Sequence, residues 1–246
     1  MYPGCGSGWG ISEGAPAGGA ARGGCFPRFP RLGSMERSTA AEILEDPHLP
    51  DHVVAHAYRD LDRTHRWLGN TAAILRLLRH GPFPVRSVLD IGCGHGALLG
   101  HVRRRMGVDV VGFDLRPAPA SVPVPILTGN AIVDPLPAAD VAVAVCLVHH
   151  LTEGDFIRLV HNVARSCRRF IVLDLVRHRL PLVLFRTFLG PFLYPLNVVD
   201  GVTSLRRSYT PQEMRRVIGT ALRDTGGRVR HTVAPLYIRQ VADISW

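Results

Sequence analysis

In the segment 87–99, three glycines at alternate positions follow an acidic residue. Asp90 ends an apolar run, Gly92, Gly94 and Gly96 follow it, and a second apolar run begins at residue 97. A strand that turns at once into a helix leaves the first N–H groups of the helix unpaired, and glycines let a ligand approach that backbone closely. We interpret the segment as a nucleotide-type cradle. Because a carboxylate repels phosphate, Asp90 is expected to face a ligand's ammonium or hydroxyl group.

A second acid and a pair of histidines follow later predicted strands. Asp114 ends the predicted strand 108–114, where a carboxylate can accept from both hydroxyl groups of a ribose. His149 and His150 follow the apolar strand 141–146, in a loop that lies over the ligand crevice of a doubly wound sheet. Imidazole can take a proton near neutral pH, so either histidine is a candidate general base toward an acceptor hydroxyl. The alternative is that one of them only packs against the cofactor and holds the loop.

Strands and helices alternate along the chain in a way that predicts an α/β fold. The predicted helices are 51–66, 70–80, 97–106, 153–167 and 211–224, and the predicted strands are 86–91, 108–114, 124–128, 141–146, 169–175, 228–233 and 236–244. This alternation is typical of a doubly wound, mostly parallel sheet. Residues 1–34 are dominated by Gly, Pro and Ala and are expected to be a disordered extension before a domain at 35–246. Met35 would make a normal bacterial start.

The string VLDIGCGHG at 88–96 resembles the first motif of class I S-adenosylmethionine (SAM)-dependent methyltransferases, an acid followed by G-x-G-x-G. The resemblance is closest to the small-molecule enzymes of quinone and polyketide pathways and covers most of 51–244. It implies a seven-stranded Rossmann-like sheet, lid helices at 51–80 ahead of a core at 85–246, and an acceptor-pocket insertion after the fifth strand. Where the family often has Gly-Asp-Ala after the third strand, with the acid reaching the adenine amino group, Asn130 stands here; its amide oxygen can still accept from an amine.

The resemblance also implies the residues that contact cofactor and acceptor. The cofactor residues are Asp90, Gly92, Cys93, Gly94, Asp114, Leu115, Asn130 and Ala131. Tyr58 and Trp67 in the lid helices and Tyr209 in the insertion are candidate substrate contacts, although each could equally be a packing residue.

The segment 180–199 is apolar and aromatic but interrupted. Pro181, Pro191 and Pro195 break it and Arg186 lies within it, whereas a transmembrane helix needs about 20 uninterrupted apolar residues. It is expected to form a lid over an apolar pocket or a patch that rests on a membrane surface.

Composition narrows the range of partners and compartments that we expect. The chain of 246 residues has a net charge of +9, and all of its 29 basic residues are arginine, which we attribute to a GC-rich, bacterial genome. The arginines are scattered, so a nucleic-acid partner is not expected. Five cysteines show no spacing that suits zinc and are an odd number for disulfides, so neither a metal ion nor an oxidising compartment is expected, and the protein is placed in the cytoplasm.

Three alternatives remain open beside a methyltransferase. The glycine string also fits the G-x-G-x-x-A of NAD-dependent oxidoreductases, a weak signal alone. A nucleic-acid methyltransferase would suit the arginines, but such enzymes usually carry Asn or Asp, Pro-Pro and an aromatic residue after strand four, where this chain has LVHH. A non-catalytic partner subunit that keeps the fold is the third. We expect SAM-dependent O-methylation of a small, lipophilic or aromatic acceptor.

Overall fold

One sheet organises the described part of the chain, which in this computed structural model is residues 35–118 and 122–246. Its seven strands lie in the order β3-β2-β1-β4-β5-β7-β6. They are β1 Ser87–Ile91, β2 Asp109–Asp114, β3 Ile126–Thr128, β4 Ala139–Val145, β5 Cys167–Asp174, β6 Arg228–Val233 and β7 Gln240–Ser245. The first five strands pair in parallel, and β7 runs antiparallel between β5 and β6. This confirms the predicted α/β fold; the predicted disordered extension 1–34 lies outside the described residues.

The helices lie on both sides of the sheet. They are α1 Asp51–Trp67, α2 Asn70–Arg79, α3 Ala97–Met106, α4 Glu153–Ser166, α5 Arg179–Leu184, α6 Pro195–Arg207 and α7 Pro211–Thr225. Successive side chains of a strand point to opposite faces. In β4, Val141 and Val143 therefore pack in the core with α2 and α3, whereas Ala142 and Ala144 pack in the core with α4 and α7. A strand buried on both faces is continuously apolar for this reason.

The strand order reverses at β1, which pairs with β2 on one side and β4 on the other. In an open α/β sheet, ligands bind in the crevice at the carboxyl ends of the strands beside such a switch point. The residues that leave β1, β2 and β4 therefore converge on one crevice.

The segment 180–199 is interrupted, as its prolines predict, but helices form at both of its ends. Pro181 lies in the first turn of α5 and Pro195 is the first residue of α6, where no intrahelical N–H bond is lost. Between them, Phe185–Leu189 forms a π-helical turn and Gly190–Phe192 a 3-10 turn.

The last strand begins at Gln240 rather than at the predicted residue 236. Leu236 and Tyr237 have φ angles of 58° and 56°, in the left-handed region, so a strand cannot pass through them. Among the described residues, no helix is long and apolar enough to cross a membrane.

Candidate functional site

The turn from β1 into α3 forms one wall of the site. Gly92 and Gly94 have φ angles of 70° and 52°, which favour glycine, and a Cβ at Gly94 would collide with the ring of Tyr58. The Gly92 N–H donates to the carbonyl of Phe113 at 2.8 Å, and the Gly94 N–H donates to Oδ2 of Asp114 at 2.7 Å. The end of β2 thus holds the glycine turn in an open shape that leaves room for a ligand.

Two carboxyl groups face this turn. Asp90 is buried, and burial together with the nearby Asp114 carboxylate raises its pKa well above the usual value. A cation placed beside this pair would favour the ionised form of Asp90. The carboxyl groups of Asp90 and Asp114 therefore suit the ammonium group of an amino acid moiety, which is the ligand group expected for Asp90 from the sequence.

A cavity of about 880 Å³ extends from the glycine turn to the histidine loop after β4. It is lined by all the sequence-predicted cofactor residues, namely Asp90, Gly92, Cys93, Gly94, Asp114, Leu115, Asn130 and Ala131, and by Tyr58, His149 and His150. Leu115 is exposed. Oδ1 of Asn130 accepts from the Ile132 N–H at 3.0 Å, which fixes the orientation of this amide at the cavity wall.

Two predicted substrate contacts do not reach this cavity, and these predictions are corrected. Tyr209 is 1% exposed within the core, and its hydroxyl donates to the carbonyl of Leu151 at 2.9 Å. The Arg37 guanidinium lies 3.9 Å from its ring centre. Trp67, at the end of α1, is 57% exposed and contacts the guanidinium of Arg63. Both residues lie close in sequence to residues that line the cavity, but their own side chains do not line it.

Asp174 at the end of β5 holds His149, in the loop after β4, by two contacts. Cys146 turns the chain with a φ of 52°, which is unusual for a non-glycine residue and occurs often at functional sites. The His149 N–H donates to Oδ2 of Asp174 at 3.0 Å, and its Nδ1 lies 2.7 Å from Oδ1. The Leu175 N–H donates to the same Oδ1 at 2.7 Å. The imidazole Nε2 is therefore directed away from Asp174.

The segment 35–50, ahead of α1, places an acid at the site that no sequence motif indicates. Oε1 of Glu42 lies 3.4 Å from Nε2 of His149, and Oε1 of Glu45 lies 2.5 Å from Nδ1 of His150. Burial lowers the pKa of His149, but the carboxylates of Asp174 and Glu42 outweigh it and raise this pKa to about 9. Burial raises the pKa of Glu42, and the histidines outweigh that effect and lower it.

Contacts with α6 and the histidine loop fix this segment. The N–H groups of Ile43 and Leu44 donate to the carboxylate of Asp200 at 2.7 and 2.8 Å. Arg37 donates to the carbonyls of His149 and Leu151. Two acids three residues apart, such as Glu42 and Glu45, are common on protein surfaces. No sequence signal therefore distinguishes Glu42.

Comparison with known proteins finds similarity to methyltransferases. A family model described as a methyltransferase domain matches residues 59–180. A search of curated proteins finds no match. The matched residues span β1 to β5 and so include the glycine turn, Asp114 and the histidine loop.

Solved structures of methyltransferases share the fold at low sequence identity. The plantazolicin methyltransferase BpumL in complex with SAH is 13% identical with a TM-score of 0.62, over 82% of this chain and 91% of its own. The mitomycin 7-O-methyltransferase MmcR is 17% identical with a TM-score of 0.54, over 79% and 58%. Human N-acetylserotonin methyltransferase in complex with SAM is 16% identical with a TM-score of 0.51, over 75% and 53%.

Proposed function

We propose that this chain is a class I SAM-dependent methyltransferase and that it methylates a small, lipophilic or aromatic acceptor at oxygen. The observation that carries the proposal is the continuous cavity, which joins the glycine turn to the histidine loop beneath an apolar cover. Its volume of about 880 Å³ lies toward the upper end of ligand pockets, which are roughly 300–1,000 Å³, so it can hold a cofactor and an acceptor together.

The residues at the carboxyl ends of β1 and β2 are proposed to hold SAM. Asp90 and the glycine turn suit its methionine end, and the free lone pairs of Asp114 suit the ribose hydroxyls. Asn130 and Ala131 would border the adenine. When bound, SAM supplies an electrophilic methyl group on a sulfonium, and the contribution of the chain is then largely alignment.

The apolar cover supports a lipophilic acceptor. It is formed by α5 and the two turns after it, and the cavity-lining side chains there are Pro181, Leu184, Phe185, Phe188 and Leu189. Removing an apolar acceptor from water against such a wall is favourable by about 25 cal/mol per Å². A strongly charged acceptor would find few partners in this part of the cavity.

The histidine loop supports methylation at a hydroxyl group. His149 lies between two carboxylates, which make its imidazole a stronger base than a free histidine. In its neutral form this imidazole would accept the proton of an acceptor hydroxyl and so make the oxygen a better nucleophile. Because its pKa is about 9, that form becomes abundant only at alkaline pH. His150, stacked on His149 with ring centres 4.1 Å apart, would complete the polar end of the pocket. The cytoplasm of a bacterium remains the proposed compartment.

Calorimetry with SAM tests this proposal. Wild type should bind SAM, and Asp114→Ala should weaken the affinity at least tenfold because the variant loses the ribose acceptor and the bond to Gly94. Asp109→Ala is the matched control, since Asp109 is an exposed acid at the opposite end of β2. Methyl transfer from labelled SAM to a panel of alkyl-substituted phenols then tests the acceptor class. Binding of NADH without binding of SAM would overturn the proposal.

A further inference from the structure

We propose that Glu42, His149 and His150 bind a divalent metal ion at the wall of the cavity. One ligand atom from each residue can be chosen so that all three lie within 4.8 Å of one another. The two carboxylate oxygens of Glu42 lie 3.4 Å from Nε2 of His149 and 3.9 Å from Nε2 of His150. No metal ion is expected from the sequence, because the cysteines lack ligand spacing; these ligands come from segments far apart in the chain.

Each of the three side chains is oriented by a further polar group. Nδ1 of His149 pairs with Asp174 at 2.7 Å and Nδ1 of His150 pairs with Glu45 at 2.5 Å. Histidines that bind metals almost always use the other ring nitrogen in this way, which directs the remaining lone pair at the ion. The carboxylate of Glu42 in turn accepts from the Ser204 hydroxyl at 2.6 Å.

The Nε2 atom of His149 indicates a missing ligand, separately from the spacing of the three side chains. It is buried, and no contact that it makes among the described residues has hydrogen-bond geometry. The Glu42 carboxylate lies 3.4 Å from it, whereas Asp174 satisfies the other ring nitrogen. The side chain of His149 is only 2% exposed, so water reaches it poorly. Leaving a buried polar atom without a partner destabilises the fold, and a metal ion would satisfy it.

The charge and the donor types favour a cation of the zinc class. Three carboxylates, those of Glu42, Glu45 and Asp174, surround the two imidazoles, and Arg207 pairs with only one of them, Glu45. Two histidines and one glutamate are a donor set of catalytic zinc sites, which leave a coordination position open. All three proposed ligands line the cavity, so an open position would face the acceptor.

The chemical role of the ion rests on the proposed function. An acceptor hydroxyl bound at the open position would lose its proton to water at a lower pH, because the metal stabilises the oxyanion. The oxygen lone pair would then form the bond to the methyl carbon of SAM while the carbon–sulfur bond breaks, and the sulfonium would leave as the neutral thioether S-adenosylhomocysteine (SAH). With the ion bound, the Nε2 lone pair of His149 coordinates the metal instead of taking the proton directly.

Metal titration of the full chain tests the site without an acceptor. The untagged protein, freed of metal by a chelator, is titrated with Co²⁺ followed by visible absorption and with Zn²⁺ by competition. Wild type should bind one equivalent. Glu42→Gln should weaken binding at least tenfold. Glu45→Gln, which changes the carboxylate beside His150 and Arg207 without removing a proposed ligand, should weaken it by about 10- to 100-fold. His52→Gln, a change at an exposed histidine of α1, is the matched control and should bind as wild type.

The outcomes separate this inference from the proposed function. Calorimetric SAM binding by each variant reports that it is folded. Absence of Co²⁺ binding by wild type, or equal binding by wild type and Glu42→Gln, would overturn the metal site. Methylation by the metal-free enzyme should fall at least tenfold and return with Zn²⁺; full activity without metal would also overturn the site while leaving methyl transfer intact.

Discussion

At the scale of single residues, Asp174 decides how the histidine loop is used. Its carboxylate accepts from two backbone N–H groups, those of His149 and Leu175, and pairs with the His149 ring. A carboxylate in this position sets both the tautomer and the orientation of the imidazole. Asp174 lines no part of the cavity wall and is thus a positioning residue.

Asp174→Asn should lower kcat at least tenfold and leave SAM affinity unchanged. The variant keeps the volume of the side chain but loses the charge that orients His149. Steady-state kinetics and calorimetry measure the two quantities separately. Asp224→Asn is the control, because Asp224 is an exposed acid 3.8 Å from another histidine, His161. A parallel loss of SAM affinity in Asp174→Asn would show that Asp174 acts only through the fold.

At the scale of elements, two segments outside the sheet enclose the site. The segment 35–50 carries Glu42 to the histidines, and α5 with its two following turns covers the cavity. The π-helical turn Phe185–Leu189 widens the helix where it meets the cavity, and such turns are frequent at functional sites. Val183, Phe188 and Phe192 of this cover are exposed, and so are Arg179 and Arg186, which lie near them in the sequence.

We predict that this exposed cover contacts anionic membranes. Phe188 lines the cavity and is also 67% exposed, so a lipophilic acceptor could pass from a bilayer into the site. The measurement is cosedimentation with phosphatidylcholine vesicles with and without phosphatidylglycerol. Phe188→Ser combined with Phe192→Ser should reduce binding at least tenfold, because each phenylalanine contributes about 1.5–3 kcal/mol when buried.

Leu236→Ser is the control for this measurement, since Leu236 is an exposed leucine in the turn before β7. Equal losses in both variants, or no vesicle binding by wild type, would mean that the acceptor reaches the cavity from solution.

At the scale of the whole molecule, a buried arginine joins two strands of the sheet to each other and to α2. Arg169 in β5 is 2% exposed and donates two hydrogen bonds to the carboxylate of Asp243 in β7, at 2.7 and 2.8 Å. Its third contact, at 3.0 Å, is with the carbonyl of Leu77 in α2. Removing one partner of a buried pair leaves a charge without compensation, which is strongly destabilising.

Asp243→Ala should therefore lower the free energy of unfolding by about 3 kcal/mol or more. Urea unfolding followed by circular dichroism measures this change. Glu153→Ala, which removes the partner of Arg216 in an exposed pair, should leave the midpoint almost unchanged because water screens it. Similar shifts for the two variants would contradict a structural role for the buried pair.

The cofactor end of the site was predictable because its parts are local in sequence. Asp90, Gly92 and Gly94 lie within one strand-to-helix turn, and Asp114 ends the adjacent parallel strand, so the topology alone brings their backbones together. The alternation of apolar residues likewise predicted the strands, with an error at β7, where two residues in the left-handed region delay its start.

The other end of the site was decided by tertiary structure. Glu42 reaches His149 because Asp200 and Arg37 fix a segment that has no helical or strand periodicity, and nothing local in the sequence reports such contacts. Trp67 and Tyr209 were misassigned for the same reason, since residue type indicates what a side chain can do but not where it points. The sequence by itself determined the fold and the cofactor cradle, which depend on neighbours along the chain; only the tertiary structure decided the carboxylate and histidine cluster, which depends on contacts between distant segments.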